Sequence, residues 1–182
     1  LAVTPGFLRS EAMLARFGVT DANWRAIASS TVGLFENRDV QISGGNATLR
    51  GYKVGDCLGL CTDEPFYNQT ASAFCSGALV APNLVLTAGH CVTSESRCRA
   101  TSIVFGYAMN SANDNANVVP STEVYRCSRI VKQVLDGTSD QDRINGASMN
   151  DFALIELDRP VVGHEPLQVN RGAGLARGTQ LV

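Results

Sequence analysis

Residues 74–91 read FCSGALVAPNLVLTAGHC, and this stretch decides the fold. Phe74, Ala78, Leu79 and Val80 form one apolar run, Ala81-Pro82-Asn83 breaks it, and Leu84-Val85-Leu86 forms a second. Two short apolar runs with Pro and Asn between them predict a β-hairpin. The second strand passes into Thr87-Ala88-Gly89, small residues that let a backbone lie close to a neighbour, and then into His90. Cys75 and Cys91 stand at the two ends. A bridge between them would pin the open end of the hairpin and hold His90 where the strand finishes.

Outward from the hairpin, further short apolar segments lie at 31–35, at 47–54 after the Gly44-Gly45-Asn46 turn, and at 101–107, 118–125, 128–135 and 151–157. Short strands separated by turns predict an all-β barrel or sandwich. Residues 10–17 and 20–27 read instead as two short helices, the first ended by Gly18 and the second capped by Thr20 or Asp21. Segments 108–118 and 136–150 read as loops. The second delivers the chain directly to Asp151, so it reads either as the rim of a cleft or as a plain surface excursion.

A hydrophobic content of 45% with 18% charged residues describes a globular chain that can bury a core. The net charge of −2 provides no footprint for nucleic acid or an anionic membrane. Arg97, Arg99, Arg126, Arg129 and Lys132 cluster in sequence and read as solvated strand-edge positions. No apolar run approaches the roughly 18 residues that cross a bilayer. The chain starts at Leu1 without a charged-then-apolar leader, which predicts that a leader was removed or trimmed.

The even cysteine count (Cys57, Cys61, Cys75, Cys91, Cys98 and Cys127) predicts disulfides and an oxidising compartment. Proximity along the chain predicts Cys57–Cys61 and Cys98–Cys127 pairs. The alternative is a zinc site built from Cys57, Cys61, His90 and Cys91, although the C-x3-C spacing is at the edge of the ligand range. Asn46-Ala47-Thr48 and Asn68-Gln69-Thr70 match glycosylation acceptors, a pattern that chance also produces.

The segments TAGHC and CSGALV resemble the histidine segment of trypsin-like (chymotrypsin-fold) serine endopeptidases. Asp151-Phe152-Ala153-Leu154-Ile155-Glu156-Leu157, followed by Asp158-Arg159-Pro160-Val161 and Pro166-Leu167, resembles the aspartate segment of the same family. The Arg171 to Val182 tail is similar to the bacterial glutamyl-endopeptidase-like branch. The resemblance implies that residues 30–165 form the first of two antiparallel β-barrels and that Cys75 pairs with Cys91. It implies His90 as general base, Asp151 as the carboxylate that orients it, a polypeptide substrate, and no metal or organic cofactor. Residues 1–29 are then a helical extension or pro-region remnant, and 166–182 a linker and the opening strand of a second, truncated barrel. The Ile-Val-Gly-Gly segment that family members free on activation is absent, so that switch is not implied.

Among the carboxylates, Asp151 begins an apolar strand after polar Asn150, where its side chain can turn inward. Glu156 and Asp158 read as solvated. His164, the other histidine, lies in a Pro-containing connection and reads as non-catalytic. No serine or cysteine follows Asp151; Thr179 is the only aliphatic hydroxyl there, and nothing around it resembles the family's Gly-Asp-Ser-Gly-Gly loop. The expectation is a secreted or periplasmic serine endopeptidase, represented here by its His/Asp portion and inactive alone. The alternatives are a non-catalytic binding or regulatory module with a protease-like barrel, and a hydrolase completed in trans by a partner chain.

Overall fold

A computed structural model describes residues 20–182 except 65–66, 110–113, 137–143, 145–148, 173, 175 and 179–182. The helix expected at 10–17 lies outside the described residues, as does most of loop 136–150. The fold is mostly β. Strand β1 (Thr31–Glu36), β6 (Cys75–Ala81), β7 (Leu84–Thr87), β8 (Thr101–Val104), β10 (Val124–Leu135) and β11 (Asp151–Leu157) close an antiparallel barrel in the order β1-β6-β7-β11-β10-β8. Helix α1 (Ala22–Ser29) precedes β1, and Asp21 caps it by accepting hydrogen bonds from the N–H groups of Asn23 and Trp24.

Alternation along the strands fills the barrel. Val32, Leu34, Leu79, Val85, Ile103, Ala153, Ile155 and Leu157 point inward and are buried with Phe105 and Tyr125. Each fully buried aliphatic or aromatic side chain contributes roughly 1.5–3 kcal/mol relative to exposure. A second, smaller sheet covers the outside of β1 and β8. It comprises β2 (Val40–Ser43), β3 (Asn46–Leu49) and β9 (Val118–Pro120) in the order β2-β3-β9. Val40, Ala47, Leu49 and Val119 bury Phe35 and Val104 beneath it.

The structure departs from the sequence expectations in several places. The strand expected over 47–54 stops at Leu49, because Gly51 passes against the next ribbon: a Cβ there would lie 2.4 Å from the Ala71 carbonyl oxygen. The chain then forms β4 (Tyr52–Lys53), which pairs with β5 (Thr70–Ala71), and helix α2 (Val54–Leu58). The strands expected at 118–125 and 128–135 become short β9, a 3-10 turn at Ser121–Glu123 and a continuous β10. Register shifts between Cys127 and Arg129 and between Ile130 and Lys132 let β10 bend without breaking. Helix α3 (Glu95–Arg99), capped by the Ser94 hydroxyl accepting from Arg97 N–H, was not anticipated. Among the described residues after Leu157 there is no strand.

Of the basic cluster, Arg99, Arg129 and Lys132 are exposed as expected, whereas Arg97 and Arg126 are half-buried and engaged. Arg97 pairs with Glu36 and lies 4.2 Å over the Phe74 ring. Arg126 donates to Asn37 and Ser102, and Arg129 pairs with Glu156.

Candidate active site

The chemistry-bearing turn follows β7. Thr87 Oγ donates to the Ser76 carbonyl across the hairpin at 2.7 Å, and the chain leaves the strand at Ala88 into a 3-10 turn, Gly89–Cys91. Gly89 is required by contact: a Cβ there would sit 2.3 Å from the Val134 carbonyl oxygen and 3.0 Å from that of Phe152. Its absence lets the turn lie directly on β10 and β11, where Gln133 Nε2 also donates to the Gly89 carbonyl at 3.3 Å. The far end of the turn is tied by a Cys75–Cys91 disulfide, with Cα atoms 6.2 Å apart. Val92, fully buried, anchors the chain that follows.

Asp151 is the first residue of β11, opposite Leu135 on β10. One carboxylate oxygen, Oδ2, lies 2.7 Å from His90 Nδ1, and the other, Oδ1, accepts the main-chain N–H of His90 at 2.9 Å. An ionised carboxylate can only accept, so Nδ1 carries a proton, and in the neutral imidazole Nε2 then holds the lone pair. The ring N–H, and after it the main-chain N–H of His90, hold the Asp151 carboxyl below its ordinary value. The imidazole remains 60% exposed and Asp151 37%, so the pair is open to solvent. The Cys75 sulfur is 4.0 Å from Nε2 and belongs to the bridge.

The two residues singled out from sequence, His90 and Asp151, are thus brought together across 61 positions. Glu156 does not join them: it pairs with Arg129 and accepts from Asn83 Nδ2 at 3.2 Å. Asp158 caps Arg126 N–H at 3.1 Å. His164 forms its own pair with Glu123, at 2.7 Å, with its side chain only 8% exposed and its ring stacked on Phe105. Two features have no signal in the sequence: the main-chain N–H of His90 as a second donor to Asp151, which no side-chain pattern marks, and the contact of Asp136 with Asn150 at the base of the loop.

The Cys98–Cys127 bridge joins α3 to β10. The expected Cys57–Cys61 bridge is corrected: both thiols are free and exposed. Cys57 sits within α2, which ends on Gly59 in the left-handed region with its N–H, and that of Leu60, returned to the Gly55 carbonyl. This backbone cap, not a sulfur bridge, closes the segment. Among the described residues, the four residues of the zinc alternative are not grouped together: Cys57 and Cys61 do not join His90 and Cys91. Among the described residues, the group of potential ligands near His90 consists of His90, Cys75 and Cys91, and both sulfurs are committed to the disulfide rather than available as thiolates.

A closed antiparallel barrel with an exposed imidazole–carboxylate pair on strand ends and a disulfide beside the imidazole defines a protein of the trypsin-like class. The family model described as Trypsin matches residues 64–177, and the chain belongs to that family. Among solved structures, it is similar to the Vibrio cholerae VesB protease, at 17% identity over 74% of this chain and 28% of that one, with a TM-score of 0.36. It is also similar to human heparin binding protein, at 16% identity over 81% of this chain and 47% of that one, with a TM-score of 0.39. The chain therefore spans less than half the length of either structure. No curated protein matches it. Two disulfides are compatible with an oxidising compartment, and among the described residues no helix is long and apolar enough to cross a membrane.

Proposed function

We propose that this chain carries the His/Asp half of a serine endopeptidase of secreted or periplasmic location, with His90 as general base and general acid and Asp151 as the carboxylate that orients it. The observation that carries the reading is the division of labour on one ring: Nδ1 lies 2.7 Å from the Asp151 carboxylate, which leaves Nε2 for other chemistry on an imidazole that is 60% exposed. In peptide hydrolysis, Nε2 takes the proton of an attacking hydroxyl and returns it to the leaving amine. Asp151 holds the required tautomer and stabilises the imidazolium that forms between those steps.

No serine follows Asp151 among residues 152–182. The reading therefore assigns the nucleophile and the amide donors of the oxyanion hole to a second barrel, encoded beyond these residues or on a partner chain.

A fluorophosphonate probe tests the assignment. The 182-residue chain alone should not be labelled, whereas the protein carrying its serine-bearing barrel should label at that serine. Absence of labelling under every condition, with any encoded continuation or partner chain present, would leave a non-catalytic binding module as the correct account.

A further inference from the structure

Immediately before Asp151, the chain is fastened in a way that neither the hairpin nor the disulfide accounts for. The carboxylate of Asp136, one residue past the end of β10, accepts the Asn150 main-chain N–H at 2.8 Å through Oδ1 and the Asn150 side-chain amide at 3.3 Å through Oδ2. Asp136 N–H donates in return to the Asn150 carbonyl at 2.9 Å. Three bonds therefore join the residue that follows β10 to the residue that precedes β11, whose terminal residues Leu135 and Asp151 already pair.

This fastening matters because of what Asp151 has to do. Its two oxygens serve two different donors of His90, the ring and the main chain, at 2.7 and 2.9 Å. That arrangement fixes the plane of the carboxylate, not merely its distance from the imidazole. A strand end frays unless its last pair is held, and Asp151 is the last pair of this ladder. Both residues of the latch are solvent-exposed, so the latch has no burial to protect. Its consequence is directional: it sets the backbone from which the Asp151 side chain departs.

We propose that Asp136 is a positioning residue for the His90–Asp151 pair, acting through Asn150 and without touching the imidazole itself. The inference deepens the function proposed above and rests on it. Asp136→Ala removes both acceptors, whereas Asp136→Asn keeps one oxygen for the Asn150 main-chain N–H.

The experiment is carbon-13 NMR titration of the Asp151 carboxyl, alongside the low-field proton of His90 Nδ1–H, in the 182-residue chain and both variants. In the unsubstituted chain the carboxyl should titrate below the ordinary aspartate value of about 3.9. In Asp136→Ala the titration should move up toward that value and the low-field proton should be lost. Asp136→Asn should restore part of both, with circular dichroism and the thermal midpoint separating this effect from general unfolding. An Asp151 titration and His90 proton unchanged in a folded Asp136→Ala chain would overturn the positioning role while leaving the His90–Asp151 pair intact. Their absence in the unsubstituted chain would instead overturn the site on which the role depends.

Discussion

The molecule contains two imidazole–carboxylate pairs with the same separation and opposite surroundings. His90–Asp151 and His164–Glu123 both close to 2.7 Å, yet the first imidazole is 60% exposed and the second 8%. They also use opposite nitrogens. His90 spends Nδ1 on its carboxylate and keeps Nε2 open. His164 spends Nε2 on Glu123, while its Nδ1 is buried without a partner and its ring stacks on Phe105 with centroids 4.5 Å apart. Distance alone therefore does not mark a general base. What matters is which nitrogen is free and whether a substrate can reach it.

The surroundings are consistent with different uses under the proposed function. His164 fastens the chain leaving the barrel, alongside the Tyr125 hydroxyl, which accepts Val162 N–H at 3.2 Å, and Ser30 Oγ, which donates to the Glu165 carbonyl at 2.5 Å. His90 is itself fastened, by the disulfide behind it and by Asp151 on two sides, so that only one nitrogen remains for chemistry.

The contrast is broken most severely by alanine substitution. In the protein with its serine-bearing barrel, His90→Ala should lower the rate of peptide hydrolysis by about 10²–10⁴-fold, the usual contribution of a positioned acid–base group. His164→Ala should leave the catalytic constants near the unsubstituted values while costing roughly 1–3 kcal/mol of stability, because Glu123 loses its partner. Parallel kinetics and chemical denaturation read both. A comparable fall in rate from the two variants would erase the distinction.

Removing the tether behind His90 comes next. Replacing Cys75 and Cys91 together by Ala opens a loop of 16 residues, for which chain entropy gives a loss of about 3 kcal/mol in thermal or denaturant unfolding. Gly89→Ala should follow at about 1–3 kcal/mol, since its Cβ meets main-chain oxygen rather than a side chain that can rotate away. It should also displace the turn that carries His90, so hydrolysis should fall with stability.

The smallest effect is that of acid. Asp151 has a folded pKa held down by the His90 donors. The stability it contributes is therefore fully present above its unfolded value of about 3.9 and is lost as pH falls through the lower folded value. Asp151→Asn should accordingly differ from the unsubstituted chain at neutral pH, with the difference narrowing below about pH 4 and vanishing only below the lower folded value, in denaturation midpoints taken across that range.

Most of the barrel's central geometry is legible in the residues. The hairpin around Ala81-Pro82-Asn83 and the strand at 151–157 show because each combines a continuous apolar run with a clear break. Asp151 shows because a carboxylate opens such a run. The small sheet does not show, since Val40–Ser43 is short and amphipathic only in company with β3, and β3 finds its other partner, β9, about seventy positions later. Helix α3 is obscured by Arg97 and Arg99, which read as edge residues until Ser94 is seen to cap them. The state of Cys57 and Cys61 is invisible to counting, because an even number of cysteines carries no information about a helix cap at Gly59.

The opposite tautomers of the two rings test the account most directly. With only two histidines in the chain, nitrogen-15 NMR of the imidazoles at neutral to mildly alkaline pH resolves every ring nitrogen. The expected spectrum has His90 protonated on Nδ1 with a bare Nε2, and His164 protonated on Nε2 with a bare Nδ1. A His90 that carries its proton on Nε2, or that exchanges between the two forms, would contradict the assignment of this ring as a base held ready by Asp151.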